Sequence, residues 1–297
     1  MTSEVIIRAD HLCHAYEQET VLHDISFTVT AGKIFGLLGK NGAGKTTAIN
    51  IIMGFLQPQH GQCTLFGEPA HALLPATKQR IALLHEGHLS YEFFDIQQTE
   101  SFYRHFYPKW ESETYHTLVA KLGLSLRHKI GHMSCGQRSQ IALAVLMAQN
   151  ADLLILDDFS MGLDAGYRRL FLEYLNRYVT ERKKTVLITS HIMQDLERFI
   201  DEALVIDKGR VVKHAPLTEL HDGWYGYYIQ GKIALAEIEC DPTVQDISHT
   251  ASGYQVICTL DAREATKRLN RYAQGEITIQ PYEISLEDTF LALTGKY

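Results

Sequence analysis

The run Gly39-Lys-Asn-Gly-Ala-Gly-Lys-Thr-Thr47 has the residue types and spacing needed to hold a polyphosphate. Glycines at 39, 42 and 44 let the backbone fold tightly, so that N–H groups of Asn41, Gly42, Ala43 and Gly44 converge on negative oxygens. Lys45 is spaced to reach the β- and γ-phosphates, Thr46 supplies a hydroxyl where a Mg²⁺ ligand is wanted, and Thr47 adds a donor. Further along, Asp157 and Asp158 stand together at the end of an apolar run, Leu153-Leu-Ile-Leu156. Charges at the end of a buried strand are costly unless a metal or a function offsets them.

These groups need elements to position them. Ile34-Phe-Gly-Leu-Leu38 is a buried-strand pattern, and Thr47 to Phe55 is amphipathic, which predicts strand, phosphate loop and helix in succession. The helix would aim its N-terminal N–H groups at the phosphates. Leu153–Leu156 and Thr185-Val-Leu-Ile-Thr-Ser190 are further apolar runs of the kind buried in a parallel sheet, and the second delivers His191 at its end. Met133-Ser-Cys-Gly-Gln137 precedes a helix-period run through Ile141, Val145 and Ala148, and on its own reads as a helix N-cap.

In this order and spacing the segments resemble the nucleotide-binding subunit of an ATP-binding-cassette (ABC) transporter, over residues 1 to about 212. The resemblance implies an α/β fold: a P-loop, RecA-like ATPase domain with an antiparallel β subdomain and an inserted helical subdomain, plus a small α+β C-terminal domain. It names Met133–Gln137 the signature, Leu153–Asp158 the Walker B strand, Ser160-Met-Gly-Leu-Asp164 the D-loop and His191 the switch histidine. Asp157 would then hold Mg²⁺ through water, Asp158 would orient or deprotonate the attacking water, and His191 would contact the γ-phosphate. Ser134, Cys135, Gly136 and Gln137 would meet the nucleotide held by a second subunit in a head-to-tail dimer. Tyr16 would lie against adenine; the alternative is an ordinary strand aromatic. ATP and Mg²⁺ are the implied cofactors. The implied partners are a second ATPase subunit, with a homodimer favoured, and a separate integral membrane transport subunit, export being the favoured direction.

Some residues depart from that pattern. Asp158 stands where Glu is usual, which withdraws the carboxylate by about a bond length, and misplacement near 1 Å can cost about a hundredfold in rate. Cys135 replaces the first glycine of the signature pair, Phe159 the usual proline, and Glu86 the glutamine expected near Mg²⁺ and water. These changes keep open a second reading: a catalytically weak, ATP-dependent binding or regulatory cassette that acts beside a partner.

Composition excludes other classes. A net charge of −7 argues against nucleic acid as a partner. Five cysteines without a Cys-x-x-Cys pair suit a reducing compartment, and among fifteen histidines none has the His-Glu-x-x-His spacing of a zinc site. No apolar run approaches the 18 to 20 residues, roughly, that span a bilayer, so a cytoplasmic chain, peripheral at the inner face of the membrane through its partner, is expected. One phosphate loop and no long heptad run disfavour two-cassette soluble relatives.

The expected organisation is an ATPase domain over 1–214, with its helical subdomain at about 86–150, and an accessory domain over 215–297. Aromatics crowd the helical stretch, Tyr91, Phe93, Phe94, Phe102, Tyr103, Phe106, Tyr107 and Trp110, and are expected to form its core. Ala203–Val212 reads as a hairpin around Lys208-Gly209. In the accessory part, strands are expected at 224–229, 254–260 and 277–279, a helix at 261–272, and a last helix capped by Ser285. A role in dimer contact or regulation stands beside one in stability alone.

Overall fold

The computed structural model describes residues 4–85, 91–159, 163, 165–190 and 192–295. Its strands are β1 (Val5–Tyr16), β2 (Glu19–Thr30), β3 (Ile34–Gly39), β4 (His60–Leu65), β5 (Glu68–Pro69), β6 (Ile81–Leu84), β7 (Leu153–Leu156), β8 (Thr185–Ile188), β9 (Glu202–Asp207), β10 (Arg210–Pro216), β11 (Tyr225–Gln230), β12 (Val244–Thr250), β13 (Gly253–Cys258) and β14 (Thr278–Tyr282). The helices are α1 (Lys45–Ile52), α2 (Pro75–Lys78), α3 (Ile96–Tyr103), α4 (Ser112–Ala120), α5 (Cys135–Ala148), α6 (Ala165–Arg182), α7 (Met193–Leu196), α8 (Leu217–Leu220), α9 (Leu235–Ile238), α10 (Ala262–Leu269) and α11 (Leu286–Thr294).

The apolar runs become the central sheet, in the order β10-β9-β3-β8-β7-β6. The pairs β3–β8, β3–β9, β7–β8 and β6–β7 are parallel. Every residue of β3, β7 and β8 is buried, as continuous apolar strands covered on both faces must be. Lys208 (φ 46°) and Gly209 (φ 70°) make the predicted turn into β10, because two consecutive positive φ angles match the twist of a tight hairpin.

The first strands form a separate antiparallel sheet, β2-β1-β4-β5. Here apolar and polar residues alternate, and the apolar face joins α1 and the central sheet in one core, with Leu12, Leu22 and Ile25 clustered with Ile49, Leu187 and Leu204. β1 runs the full length from Val5 to Tyr16. It carries register shifts between Ala9 and His14, and such bulges break the alternation that sequence reading depends on.

Between β6 and β7 the described residues carry α3, α4 and α5. α3 begins with a capping box: Gln98 N–H donates to Asp95 Oδ1 at 2.7 Å and Asp95 N–H to Gln98 Oε1 at 3.0 Å. The crowded aromatics are not the core of this segment. Phe93, Phe106 and Tyr91 are 69, 53 and 44% exposed, while Tyr115 is fully buried, its hydroxyl donating to Ile96 O at 2.8 Å. Rings pack edge to face or tilted along Phe93–Phe94–Phe102–Phe106 with centroids 4.7 to 5.5 Å apart, so they shield one another at the surface.

The chain divides into two compact units, Met1–Val211 and Val212–Tyr297. In the second, β11-α9-β12-β13-α10-β14 forms a wholly antiparallel sheet in the order β12-β13-β11-β14, the split β-α-β arrangement of ferredoxin-like folds. Tyr227, Ile229, Val256 and Leu269 are in its core. β12 and α9 were not foreseen; β12 lies at the sheet's edge and most of its residues are only half buried, so it lacks an apolar stripe. Ser285 caps α11 in a box with Asp288, as its position predicts.

Candidate nucleotide site

The phosphate loop joins β3 to α1, and its glycines are required for different reasons. A Cβ on Gly39 would lie 2.6 Å from Ile206 O, and one on Gly44 (φ 101°) 2.6 Å from the Leu22 side chain, whereas Gly42 (φ 80°) has open space and needs only the left-handed backbone. Lys45 Nζ donates to Gly39 O at 2.8 Å and Lys40 O at 3.0 Å, which holds the ammonium at the loop itself. Gly44 offers no side-chain cap to α1 and its first turn has no acidic residue, so neither a cap nor a carboxylate competes with an anion for the helix's positive end. Asn41 and Thr46 are exposed, and Ala43 and Thr47 buried.

Asp157 follows β7 and is 2% exposed. Its Oδ1 accepts from Thr189 Oγ1 at 3.0 Å, while Oδ2 is buried with no hydrogen-bond partner among the described residues. Thr189 Oγ1 in turn accepts from Asp158 N–H at 2.8 Å. One hydroxyl therefore ties the two aspartates to the end of β8. Asp158 has φ 42°, a left-handed conformation that Asp tolerates better than most residues. Phe159 is fully buried and stacks on Phe171 of α6, centroids 5.1 Å apart. A ring that fills the core accounts for Phe where proline is usual.

A buried carboxylate oxygen lacking a partner is costly, and a hard cation satisfies it. Asp157 with the exposed hydroxyl of Thr46 gives an all-oxygen donor set, which fits Mg²⁺. Among the described residues no group of three or more His, Cys, Asp or Glu could cage a metal. A Mg²⁺ held by one carboxylate, water and phosphate needs no such cage.

Ser134 caps α5. Its Oγ accepts from Gln137 N–H at 3.3 Å, and Gln137 Oε1 accepts from Ser134 N–H at 2.9 Å. Cys135 is exposed; Gly136 is buried, and a Cβ there would meet the Tyr167 ring at 2.5 Å. Tyr16, 47% exposed, ends β1 with His14 edge-on at 4.9 Å. Glu86, Asp164 and His191 lie outside the described residues. Sequence reading overlooked Thr189, although a hydroxyl at the end of an apolar strand beside a carboxylate pair was a usable sign. It also overlooked Tyr167, for which the sequence carries no signal.

The ABC transporter family profile matches residues 22–160. The Nod factor export ATP-binding protein I of Burkholderia lata is 32% identical over 95% of this chain and 94% of its own length. That of a Rhizobium species is 31% identical over 99% and 98%. The chain belongs to the ATP-binding subunits of ABC transporters. Its fold agrees: the ATP-binding subunit of an ABC transporter superposes with TM-score 0.65 at 23% identity, over 73% of this chain and 92% of that one. An ATP-binding cassette in a dimeric post-hydrolysis state, bound to ADP and Pi, gives 0.64 at 18%, over 71% and 99%. Subunits of this family bind and hydrolyse ATP, dimerise and act with membrane transport subunits. No described helix of this one is long and apolar enough to cross a membrane. All five cysteines are free, and burial followed by the nearby Asp10 pushes the Cys63 thiol up to about 12.

Proposed function

We infer that this ABC subunit pairs head to tail with a second copy on two Mg-ATP, and that closure and hydrolysis drive export through a separate membrane subunit. The observation that carries the reading is the Asp157 oxygen buried without a partner beside Asp158. Within one site, the loop amides and Lys45 bind the β- and γ-phosphates, and Thr47 adds a donor. Thr46 and Asp157 hold Mg²⁺, which when bound neutralises charge on the phosphates. Asp158 orients the attacking water and accepts its proton as the bond from γ-phosphorus to the bridging oxygen breaks. His191 contacts the γ-phosphate, Glu86 takes the place of the Mg²⁺- and water-binding glutamine, and Asp164 belongs to the D-loop at the dimer contact. Tyr16 lies against adenine.

Ser134, Cys135, Gly136 and Gln137 face the nucleotide of the other copy. The Ser134–Gln137 cap leaves the serine O–H free to donate, so a helix cap and an anion contact are compatible in one residue. The surface aromatics at 91, 93 and 106 support a membrane subunit docking on the helical segment, since adjoining exposed rings mark interfaces. The relatives' names support export, and cargo choice would lie with the membrane subunit. The subunit would sit on the cytoplasmic face of the membrane.

A second reading, a weakly hydrolytic regulatory cassette, is favoured by Asp158 and Cys135. Steady-state Mg-ATP turnover, with Lys45→Ala as the blank and Asp158→Asn beside it, separates the two. Turnover rising cooperatively with protein concentration and absent from both variants supports the hydrolytic homodimer. Wild-type turnover equal to the blank, with ATP still bound, removes it in favour of the regulatory cassette.

A further inference from the structure

Two neighbouring signature residues differ in what surrounds them. Cys135 has an exposed side chain, whereas Gly136 lies under the ring of Tyr167, so close that a Cβ would stand 2.5 Å from both Cδ2 and Cε2. Gly136 and Gln140 on α5 face Tyr167, Phe171 and Tyr174 on α6, around a crevice of about 10 Å³. The three- and four-residue spacing of these positions is that of a packed helix seam. A substituent at 136 must therefore displace the ring.

The helix that carries the ring is held at two neighbouring positions. One turn on, Phe171 stacks on Phe159, which follows Asp158 directly. In the next position Arg168 forms an ion pair with Asp195 of α7, and the guanidinium Nε and carboxylate Oδ2 are both buried. The first two turns of α6 thus touch the signature, the segment after the Asp157–Asp158 pair, and the helix that follows His191. Packed interiors pass such constraints on, since they yield little to strain.

We propose that Tyr167 is a positioning residue: its ring sets the height of the 134–137 turn relative to Asp158, and so the fit of one copy's signature to the nucleotide held by the other. Glycine at 136 answers to this ring in its own chain, which is why Cys is accommodated at 135 and no side chain at 136. The proposal rests on the head-to-tail pairing inferred above.

Sedimentation of the full chain over a series of Mg-ATPγS concentrations tests it, with thermal unfolding midpoints measured on the same proteins. Tyr167→Ala is expected to raise the ATPγS needed for half-dimerisation about tenfold, an ordinary coupling between residues in contact. Affinity of the monomer for a fluorescent ATP should stay unchanged, which separates positioning from general loosening. Tyr167→Phe keeps the ring and should dimerise as the parent does. Gly136→Ala should be worse than Tyr167→Ala and unfold earlier; adding Tyr167→Ala to it should restore both readouts to the level of Tyr167→Ala alone. Tyr167→Ala dimerising like the parent, or a double variant showing the two losses simply added, overturns the proposal. If the parent stays monomeric throughout, the head-to-tail reading falls. The unfolding midpoints then decide separately, additive losses removing the ring's hold on Gly136 and non-additive ones upholding it.

Discussion

Asp157 and Asp241 are both aspartates removed from water, 2 and 4% exposed, and they are treated in opposite ways. Asp241, in the second unit, is saturated: Oδ1 accepts from Thr243 N–H (3.0 Å) and Oγ1 (2.7 Å), and Oδ2 from Arg268 Nε (2.6 Å) and the Tyr272 hydroxyl (2.7 Å). Asp157 has Thr189 and nothing on its other oxygen among the described residues. A carboxylate with every lone pair engaged holds a fold together; one left short keeps a coordination position for something else.

Removing the saturated carboxylate should have the largest effect on stability. Asp241→Ala takes the acceptor from Thr243, Tyr272 and Arg268; the guanidinium, 37% exposed, regains water, so the loss is that of hydrogen bonds to a charged group, about 1.5–3 kcal/mol. Denaturant titration should show residues 212–297 unfolding early while Mg-ATP binding by the first unit is kept. Loss of both together would mean that the units do not melt separately.

At Asp157 the same chemistry should give the reverse balance. Asp157→Asn keeps the shape and removes a charge that is only half satisfied, so stability should change by less than about 1 kcal/mol. If Asp157 holds the metal as proposed, Mg²⁺-dependent turnover should fall about a hundredfold or more. A stability loss as large as that of Asp241→Ala would make Asp157 a structural residue and erase the contrast.

Acid sharpens the comparison further. The Arg268 hydrogen bond chiefly, opposed by burial and aided by Tyr272 and Thr243, holds the Asp241 carboxyl well below the usual carboxylate range. A folded-state pKa below the unfolded value of about 3.9 adds stability that is complete above that pH and is lost as pH falls further. The second unit should therefore weaken progressively below about pH 4, and Asp241→Asn should flatten that slope. An unchanged slope in Asp241→Asn would assign the acid sensitivity to other carboxylates.

The two sites also differ in how far sequence alone reveals them. Gly39–Thr47 and the strand before Asp157 are legible because their constraints are local: a turn that needs left-handed backbone and a strand buried on both faces each write a short pattern. The Ser134 and Ser285 caps are legible for the same reason, a hydroxyl three residues ahead of its partner. The Asp241 network is not, because Arg268 and Tyr272 stand 27 and 31 residues away and only the folded sheet brings them to it. Tyr167 on Gly136 is hidden in the same way. The surface aromatics misled because ring content alone does not say which ring faces inward.

The smallest effect predicted concerns the length of one side chain. Asp158 has its N–H tied to Thr189 and its backbone fixed at φ 42°, so Asp158→Glu moves the carboxylate outward with little change of the main chain. If the shorter side chain holds the carboxylate back from the water, the extra methylene should raise turnover by about tenfold, part of the hundredfold that misplacement near 1 Å can cost. Glu is less at ease than Asp in the left-handed region, so the gain should come with a stability loss of about 0.5–1 kcal/mol. Rate and unfolding midpoint measured together check both halves. A slower Glu variant would mean that the site is built around the shorter acid, and that Asp158 is as closely fitted to its place as Asp241 is.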